Sequence, residues 1–220
     1  MTNAPRLDII SDAICPWCYV GKRHLEQALP VLAEQGLDFE VHWHPFQLNP
    51  DMPEGGIDRR EYRTSKFGSW ERSQQLDAQL AEKGRAAGLE FRMDLQRRTP
   101  NTLAAHRTIR LAGAHGVQGA VVEALFAGYF TEGADIGDAE TLAGLADSAG
   151  LPRQAVLAML AGDEGRAEVL AEDVNARRSG INGVPSFTMA NHVLFSGAVP
   201  AETMVEAFAH AWKILSSRAA

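Results

Sequence analysis

The only two cysteines of this 220-residue chain stand in one tetrapeptide, Cys15-Pro16-Trp17-Cys18, and this decides what cannot hold the fold together. In the chain-entropy treatment, a disulfide over so short a loop is worth only about 2 kcal/mol, against about 3 kcal/mol for a 15-residue loop. The pair is a poor staple, so the fold must rest on a hydrophobic core. With 45% hydrophobic and 22% charged residues, a chain of this length can build one without crosslinks. Two thiols this close make more sense as a bond that opens and closes.

The formal net charge of -7 argues against nucleic acid as a main partner, because phosphate binding needs a basic face. No apolar run approaches the ~20 residues of a membrane span. The segment from Met1 to Ile10 lacks a basic region, a long apolar stretch and a cleavage site, so it does not read as a signal peptide. A cytosolic location is expected, where disulfides are usually catalytic rather than structural.

Apolar periodicity divides the chain into three stretches. Leu7-Asp8-Ile9-Ile10 reads as a buried strand. Pro16 is suited to the first position of a helix, which places Cys15 at its N-cap. Cys18, Gly21, Leu25, Ala28 and Leu29 recur at helical spacing as an inward stripe, and Pro30 should kink or end the helix. Leu37, Phe39, Val41 and Trp43 then alternate with Asp38, Glu40, His42 and His44, as in a half-buried strand stopped by Pro45. From about Ile57 to Arg178 the pattern is helical, with the last helix at about Asp163 to Arg178. Pro185 to Met189 and Val193 to Ser196 read as a hairpin around Ala190-Asn191-His192, and a helix from about Pro200 to Leu215 follows. The order is β-α-β, a helical block, then β-β-α. An α/β unit of residues 1–56 and 179–220 is therefore expected, interrupted by an all-helical insertion over 57–178.

Sulfur exchange needs a thiolate, and a helix N-terminus favours one through its dipole and unpaired N–H groups. Cys15 at the helix start is expected to attack. Cys18, one turn in and aligned with the apolar stripe, is expected to be buried and to resolve the mixed disulfide. Trp17 brings bulk but no positive charge, so Cys15 is expected to be less acidified than in a site with histidine between the cysteines. Two plainer readings stand beside this one. Tetrahedral zinc wants four ligands, and only His42 and His44 are at hand to complete the pair. The cysteines could also be inert core residues. A C-x-x-C beside a β-α-β pattern favours redox chemistry, with no metal. Val184-Pro185 precedes a strand. Pro185 either merely opens that strand, or forms a cis bond beside Cys15 that exposes the Val184 backbone to an extended substrate.

Five segments carry a family resemblance: Asp12-Ala13-Ile14-Cys15-Pro16-Trp17-Cys18-Tyr19-Val20-Gly21-Lys22, Trp43-His44-Pro45-Phe46-Gln47-Leu48, Asn101-Thr102-Leu103-Ala104-Ala105-His106-Arg107, Gly180-Ile181-Asn182-Gly183-Val184-Pro185-Ser186-Phe187 and Phe195-Ser196-Gly197-Ala198. The chain resembles the DsbA-family thioredoxin-fold oxidoreductases, and within them the FrnE-like branch. The resemblance implies a thioredoxin core with a helical insertion and a cis Pro185 packed against the cysteines. It implies that Cys15 is the nucleophile and Cys18 the resolving thiol, and that Pro16, Trp17, Val184 and Pro185 shape the substrate groove. Asn101, Thr102 and His106 resemble a family segment near the redox pair. They could equally cap a helix and fill the core. The expected function is thiol-disulfide exchange on protein or small-molecule substrates, with no required cofactor. Related 2-hydroxychromene-2-carboxylate isomerases and kappa-class glutathione transferases use a serine-type site with bound glutathione. A glutathione-dependent isomerase or transferase is thus one alternative, with glutathione a possible thiol partner even for the dithiol chemistry. A non-catalytic binding module on the same scaffold is the other.

Overall fold

The computed structural model describes residues 4–219; Met1 to Asn3, at the head of the segment weighed as a leader, lie outside the described residues. The first unit opens with β1 (Arg6–Ser11), α1 (Pro16–Glu34) and β2 (Glu40–Pro45). It closes with β5 (Ser186–Met189), β6 (His192–Ser196) and α9 (Ala201–Ala219). The four strands form one sheet in the order β2-β1-β5-β6. β1 runs parallel to β2, with Ile9 opposite Trp43, and antiparallel to β5, with Ile9 opposite Phe187. This is the mixed sheet that the β-α-β and β-β-α pattern implies, since a parallel pair needs a crossover and an antiparallel pair needs only a turn.

The hairpin turn is tighter than the sequence suggests. Ala190 and Asn191 both adopt positive φ (47° and 63°), so two residues join the strands and His192 already pairs with Met189. Leu37 and Phe39 do not extend β2. The Leu37 N–H instead bonds the Leu32 carbonyl and closes the end of α1, and β2 begins at Glu40. Pro30 does not end α1, which runs on to Glu34. Its ring lies on an exposed face, where it displaces no packed neighbour.

Between the halves lie α2 (Arg59–Phe67), α3 (Trp70–Ala86), α4 (Leu103–Ala114), α5 (Gln118–Ala127), a π-turn (Gly128–Glu132), α6 (Ala139–Ser148), α7 (Arg153–Leu160) and α8 (Arg166–Arg178). The insertion is helical, as expected, with one exception. Two short strands, β3 (Ile57–Asp58) and β4 (Arg98–Thr99), pair as a separate antiparallel ladder. α8 starts at Arg166 rather than Asp163, after Gly165 in a left-handed conformation.

The insertion packs onto the sheet edge and onto α1. The Gln118 side chain on α5 accepts from the Trp43 N–H at 2.9 Å and donates to the Trp43 carbonyl at 3.1 Å, which occupies backbone groups of edge strand β2. Glu123, also on α5, accepts from the Tyr19 hydroxyl at 2.8 Å, from Lys22 at 2.6 Å and from Arg23. One continuous apolar cluster runs from Leu7, Ile9 and Phe187 in the sheet, through Tyr19 on α1, to Phe126 and Leu142 in the insertion.

Candidate active site

Cys15 occupies the N-cap of α1 with extended backbone (φ -91°, ψ 111°), and Pro16 is the first helical residue. The proline ring fixes φ where a helix begins and removes an N–H that would have had no partner. The turn is held by the Cys15 N–H on the Asp12 carbonyl and the Cys18 N–H on the Cys15 carbonyl, both at 3.0 Å. Both cysteines are free thiols and both are buried, Cys15 at 4% exposure and Cys18 at 0%. Burial pushes the Cys18 thiol well above the ordinary thiol range, and the neighbouring Cys15 raises it further. The Ser11 hydroxyl and the Asp12 N–H pull the other way by bonding the thiolate.

The Cys15 thiol donates to the Val184 carbonyl at 3.5 Å, and the Val184–Pro185 bond is cis. A Cβ on Gly21 would sit 3.0 Å from the Pro185 ring, so glycine there lets α1 approach this turn. Groups 169 residues apart in the chain thus meet at one point.

A cavity of about 640 Å³ opens over Cys15. Pro16, Trp17, Gly183 and Val184 line one side, with Trp17 45% exposed at the rim. Ile14, Leu48 and Asn49 add to that side, and the insertion supplies the opposite wall. Leu76, Leu80, Met93 and Phe130 make it apolar, and the cations Arg59, Arg63, Lys66 and Lys83 outnumber the carboxylates Asp77 and Glu82 in its lining. Arg59 donates to Asp77 at 2.7 Å and Arg63 to Ser73 Oγ at 2.7 Å, so both guanidinium groups are held in place.

Asn101, Thr102 and His106 do not line this cavity. Asn101 caps α4 by accepting the Leu103 N–H at 2.9 Å, and donates to the Met52 carbonyl at 2.7 Å. Thr102 is the N-cap by backbone position, with no side-chain bond to the helix. His106 is buried against Asp12 on the far side of the Cys15 turn, Nε2 to Oδ1 at 3.3 Å. His44 spends its ring on Asp8 and Glu172, in a different cleft. The basic residues of α2 carry no apolar stripe and escaped the periodicity argument. Their signal was the capping pair Asp58 and Glu61, where Asp58 accepts the Glu61 N–H at 3.0 Å.

Comparison with known proteins gives a consistent result. A family model described as the DSBA-like thioredoxin domain matches residues 6–209. The crystal structure of a probable DsbA oxidoreductase from Streptomyces coelicolor superposes with a TM-score of 0.85, at 33% identity, over 95% of this chain and 90% of that one. The uncharacterized protein YwbO of Bacillus subtilis is 30% identical over 145 residues, which is 66% of this chain and 66% of that protein. The cytosolic disulfide reductase DsbM from Pseudomonas aeruginosa, also solved with glutathione, shares the fold at 19% identity, with a TM-score of 0.63 over 98% of this chain and 100% of that one. With a family match that runs from β1 into α9 and takes in the cysteine pair, the chain belongs to the DSBA-like thioredoxin domain family.

Proposed function

We propose that the chain catalyses thiol-disulfide exchange through Cys15 and Cys18. The observation that carries this reading is the placement of two free thiols in the first turn of α1, with Cys15 lining an apolar, basic cavity. In the reducing direction the Cys15 thiolate attacks a substrate disulfide and expels one substrate thiolate. The Cys18 thiolate then attacks Cys15 Sγ, closes the Cys15–Cys18 disulfide and expels the second. Oxidation of a dithiol runs through the same states in reverse. Trp17, Pro16 and Val184 line the cavity over the reacting sulfur, Pro185 follows Val184 through the cis bond, and an extended substrate would pair with the Val184 backbone. The reading keeps the FrnE-like assignment and a cytosolic location. It is supported there by the retained cysteine pair and by the shared fold of the cytosolic disulfide reductase DsbM.

Glutathione is the small thiol we favour as a partner. Its two carboxylates would suit the Arg59, Arg63, Lys66 and Lys83 lining, and DsbM binds it in the same fold. The test is dithiol-dependent reduction of insulin. Cys15→Ser should fall to the uncatalysed background, and Cys18→Ala should accumulate a Cys15-linked mixed disulfide visible by mass spectrometry. Full activity in Cys15→Ser would end this reading in favour of a binding module. Turnover of an aromatic substrate with glutathione by Cys18→Ala would favour a transferase or isomerase. The reduction potential sets the direction: about -200 to -270 mV suits a reductant, and about -120 mV an oxidant.

A further inference from the structure

The cavity over Cys15 has two walls, and one side chain spans them. Tyr62, on α2 of the insertion, donates its hydroxyl to Asn49 Oδ1 at 2.6 Å. Asn49 belongs to the loop after β2, on the wall that carries Cys15. Both residues line the cavity, and among the described residues this is the one hydrogen bond that joins wall to wall. Its direction is fixed chemically. Lys66, one turn along α2, donates to the same hydroxyl at 2.6 Å. An ammonium group only donates, so the hydroxyl accepts from Lys66 and keeps its single hydrogen for Asn49. The far end of the bridge is tied to the redox turn. Asp12 accepts the Cys15 N–H at its carbonyl (3.0 Å) and the Leu48 N–H at its carboxylate (2.7 Å), and Asn49 is the next residue.

Packing does not account for this bond. Tyr62 and Asn49 are both only half-buried, and Arg59 is the one buried side chain of α2. Other contacts hold α2 to α3: Arg59 and Arg63 both bond Asp77, and Arg63 also bonds Ser73. The Tyr62 ring can therefore leave Asn49 without moving its helix. A hydrogen bond between neutral groups shifts an equilibrium by roughly three- to tenfold, enough to keep the walls joined most of the time and still let them part. Cys15 itself is 4% exposed, so a substrate has to come into the cavity to reach its sulfur.

We propose that the Tyr62–Asn49 bridge selects substrates by where their cysteine sits in a chain: it admits small disulfides and cysteines at a chain end, and holds back cysteines inside a continuous polypeptide. The proposal rests on the dithiol-exchange reading and adds a specificity-determining pair to the same cavity. A chain laid into the cavity meets a bond that crosses it. A small disulfide or a chain end slips past the crossing. An internal segment runs on in both directions, so it reaches the Val184 backbone only after Tyr62 has released Asn49. The bridge works on access alone, and the chemistry stays with Cys15 and Cys18.

The test uses two neutral peptides of one composition, rich in glycine and serine, each with a single cysteine held as its mixed disulfide with thionitrobenzoate. In one the cysteine is C-terminal. In the other it is central, with chain enough to leave the cavity on both sides. The Cys15 thiolate attacks the peptide sulfur, the Cys15–peptide bond forms, and thionitrobenzoate leaves with the electron pair and is read by its colour in stopped flow. Cys18 then attacks Cys15 Sγ and expels the peptide thiolate. Dividing each rate by that of free dithiothreitol removes differences in intrinsic reactivity. The native protein should prefer the terminal cysteine by roughly three- to tenfold, and Tyr62→Phe, which keeps the ring and removes the bond, should bring the ratio close to one. Asn49→Ala should do the same from the other wall. A ratio left unchanged in either folded variant overturns the proposal. So does a rise of both rates alike, which marks a loosened site without selection. Native protein that reacts with neither peptide, or Cys15→Ser that reacts with both at the native rate, removes the exchange reading and the proposal with it.

Discussion

His44 holds both of its ring nitrogens against carboxylates, Nε2 on Asp8 Oδ1 at 2.7 Å and Nδ1 on Glu172 Oε2 at 3.2 Å. Donating to both requires the imidazolium. Burial alone would favour the neutral ring, but the bonds to Asp8 and Glu172 outweigh it and push His44 up to about 9. A raised histidine stabilises the fold fully below its unfolded value of about 6.5, and that stability is lost as pH rises through about 9. Asp8 is held low by His44 and Arg6 against the opposing effect of burial, and Glu172 chiefly by its bond to His44. Their share is present above the ordinary carboxylate range and lost as pH falls below it. Urea unfolding at pH 6.5 and pH 9.5 should therefore show a loss of roughly 1–3 kcal/mol in the native protein. His44→Gln should flatten most of that difference, and an equal loss in the variant would show that another group is responsible. In the sequence, His44 was a polar position on an alternating strand and a weighed zinc ligand, and nothing there pointed to an ion pair. Asp8 lies across the β1–β2 pairing and Glu172 comes from α8, so neither partner was visible there.

At the scale of elements, the π-turn at the end of α5 does more for the cavity than its length suggests. It carries Tyr129 and Phe130 into the wall over Cys15. The turn is fixed from outside, by Gln96 donating to the Tyr129 carbonyl at 3.0 Å and by the Arg92 N–H donating to the Phe130 carbonyl at 2.7 Å. Gly133 ends it at φ 71°, where an added Cβ would lie 2.7–2.8 Å from the Leu95 backbone carbonyl atoms. Gly133→Ala combines a left-handed alanine with a backbone clash, and should cost about 2–4 kcal/mol in denaturant unfolding. Gly119→Ala in α5 meets nothing within 4 Å and should leave stability unchanged or slightly raised. Equal stability of the two variants would remove the steric argument. Elements with a strong apolar stripe, such as α1 and α9, were legible from periodicity. α2 was not, because among its side chains only Arg59 is buried. The π-turn was not, because inserting one residue per turn leaves the apolar run of Val121, Val122, Leu125 and Phe126 unaltered. β3 and β4 are two residues each, too short for any period to register.

For the whole molecule, the question is whether the two parts that the sequence pattern separates behave as separate bodies. The cysteines and Val184 were legible in the sequence because local chemistry places them: a proline, a helix start and a strand start. The cavity was not, because its second wall comes from α2 and α3, and only packing decides which face of an insertion meets the redox turn. That packing is extensive. Phe126 of α5 stacks on Tyr19 of α1 at 5.0 Å between ring centroids and meets Trp43 of β2 edge-on at 6.3 Å. Tyr19 further contacts Phe91 and Phe130 of the insertion, each at 6.1 Å. Aromatic contacts shared by both parts, within one apolar cluster, couple their unfolding. Phe126→Ala should cost about 3–5 kcal/mol. That loss should lower the protection of sheet amides, such as those of Ile9 and Phe187, as much as that of amides in α5. Hydrogen exchange read by mass spectrometry would distinguish the cases. Parallel loss in both parts, with coincident thermal transitions by circular dichroism and tryptophan fluorescence, is the expected outcome. A variant whose insertion opens while the sheet keeps its native protection would show instead that the two parts fold as separate units, and that the cavity over Cys15 opens and closes by domain motion.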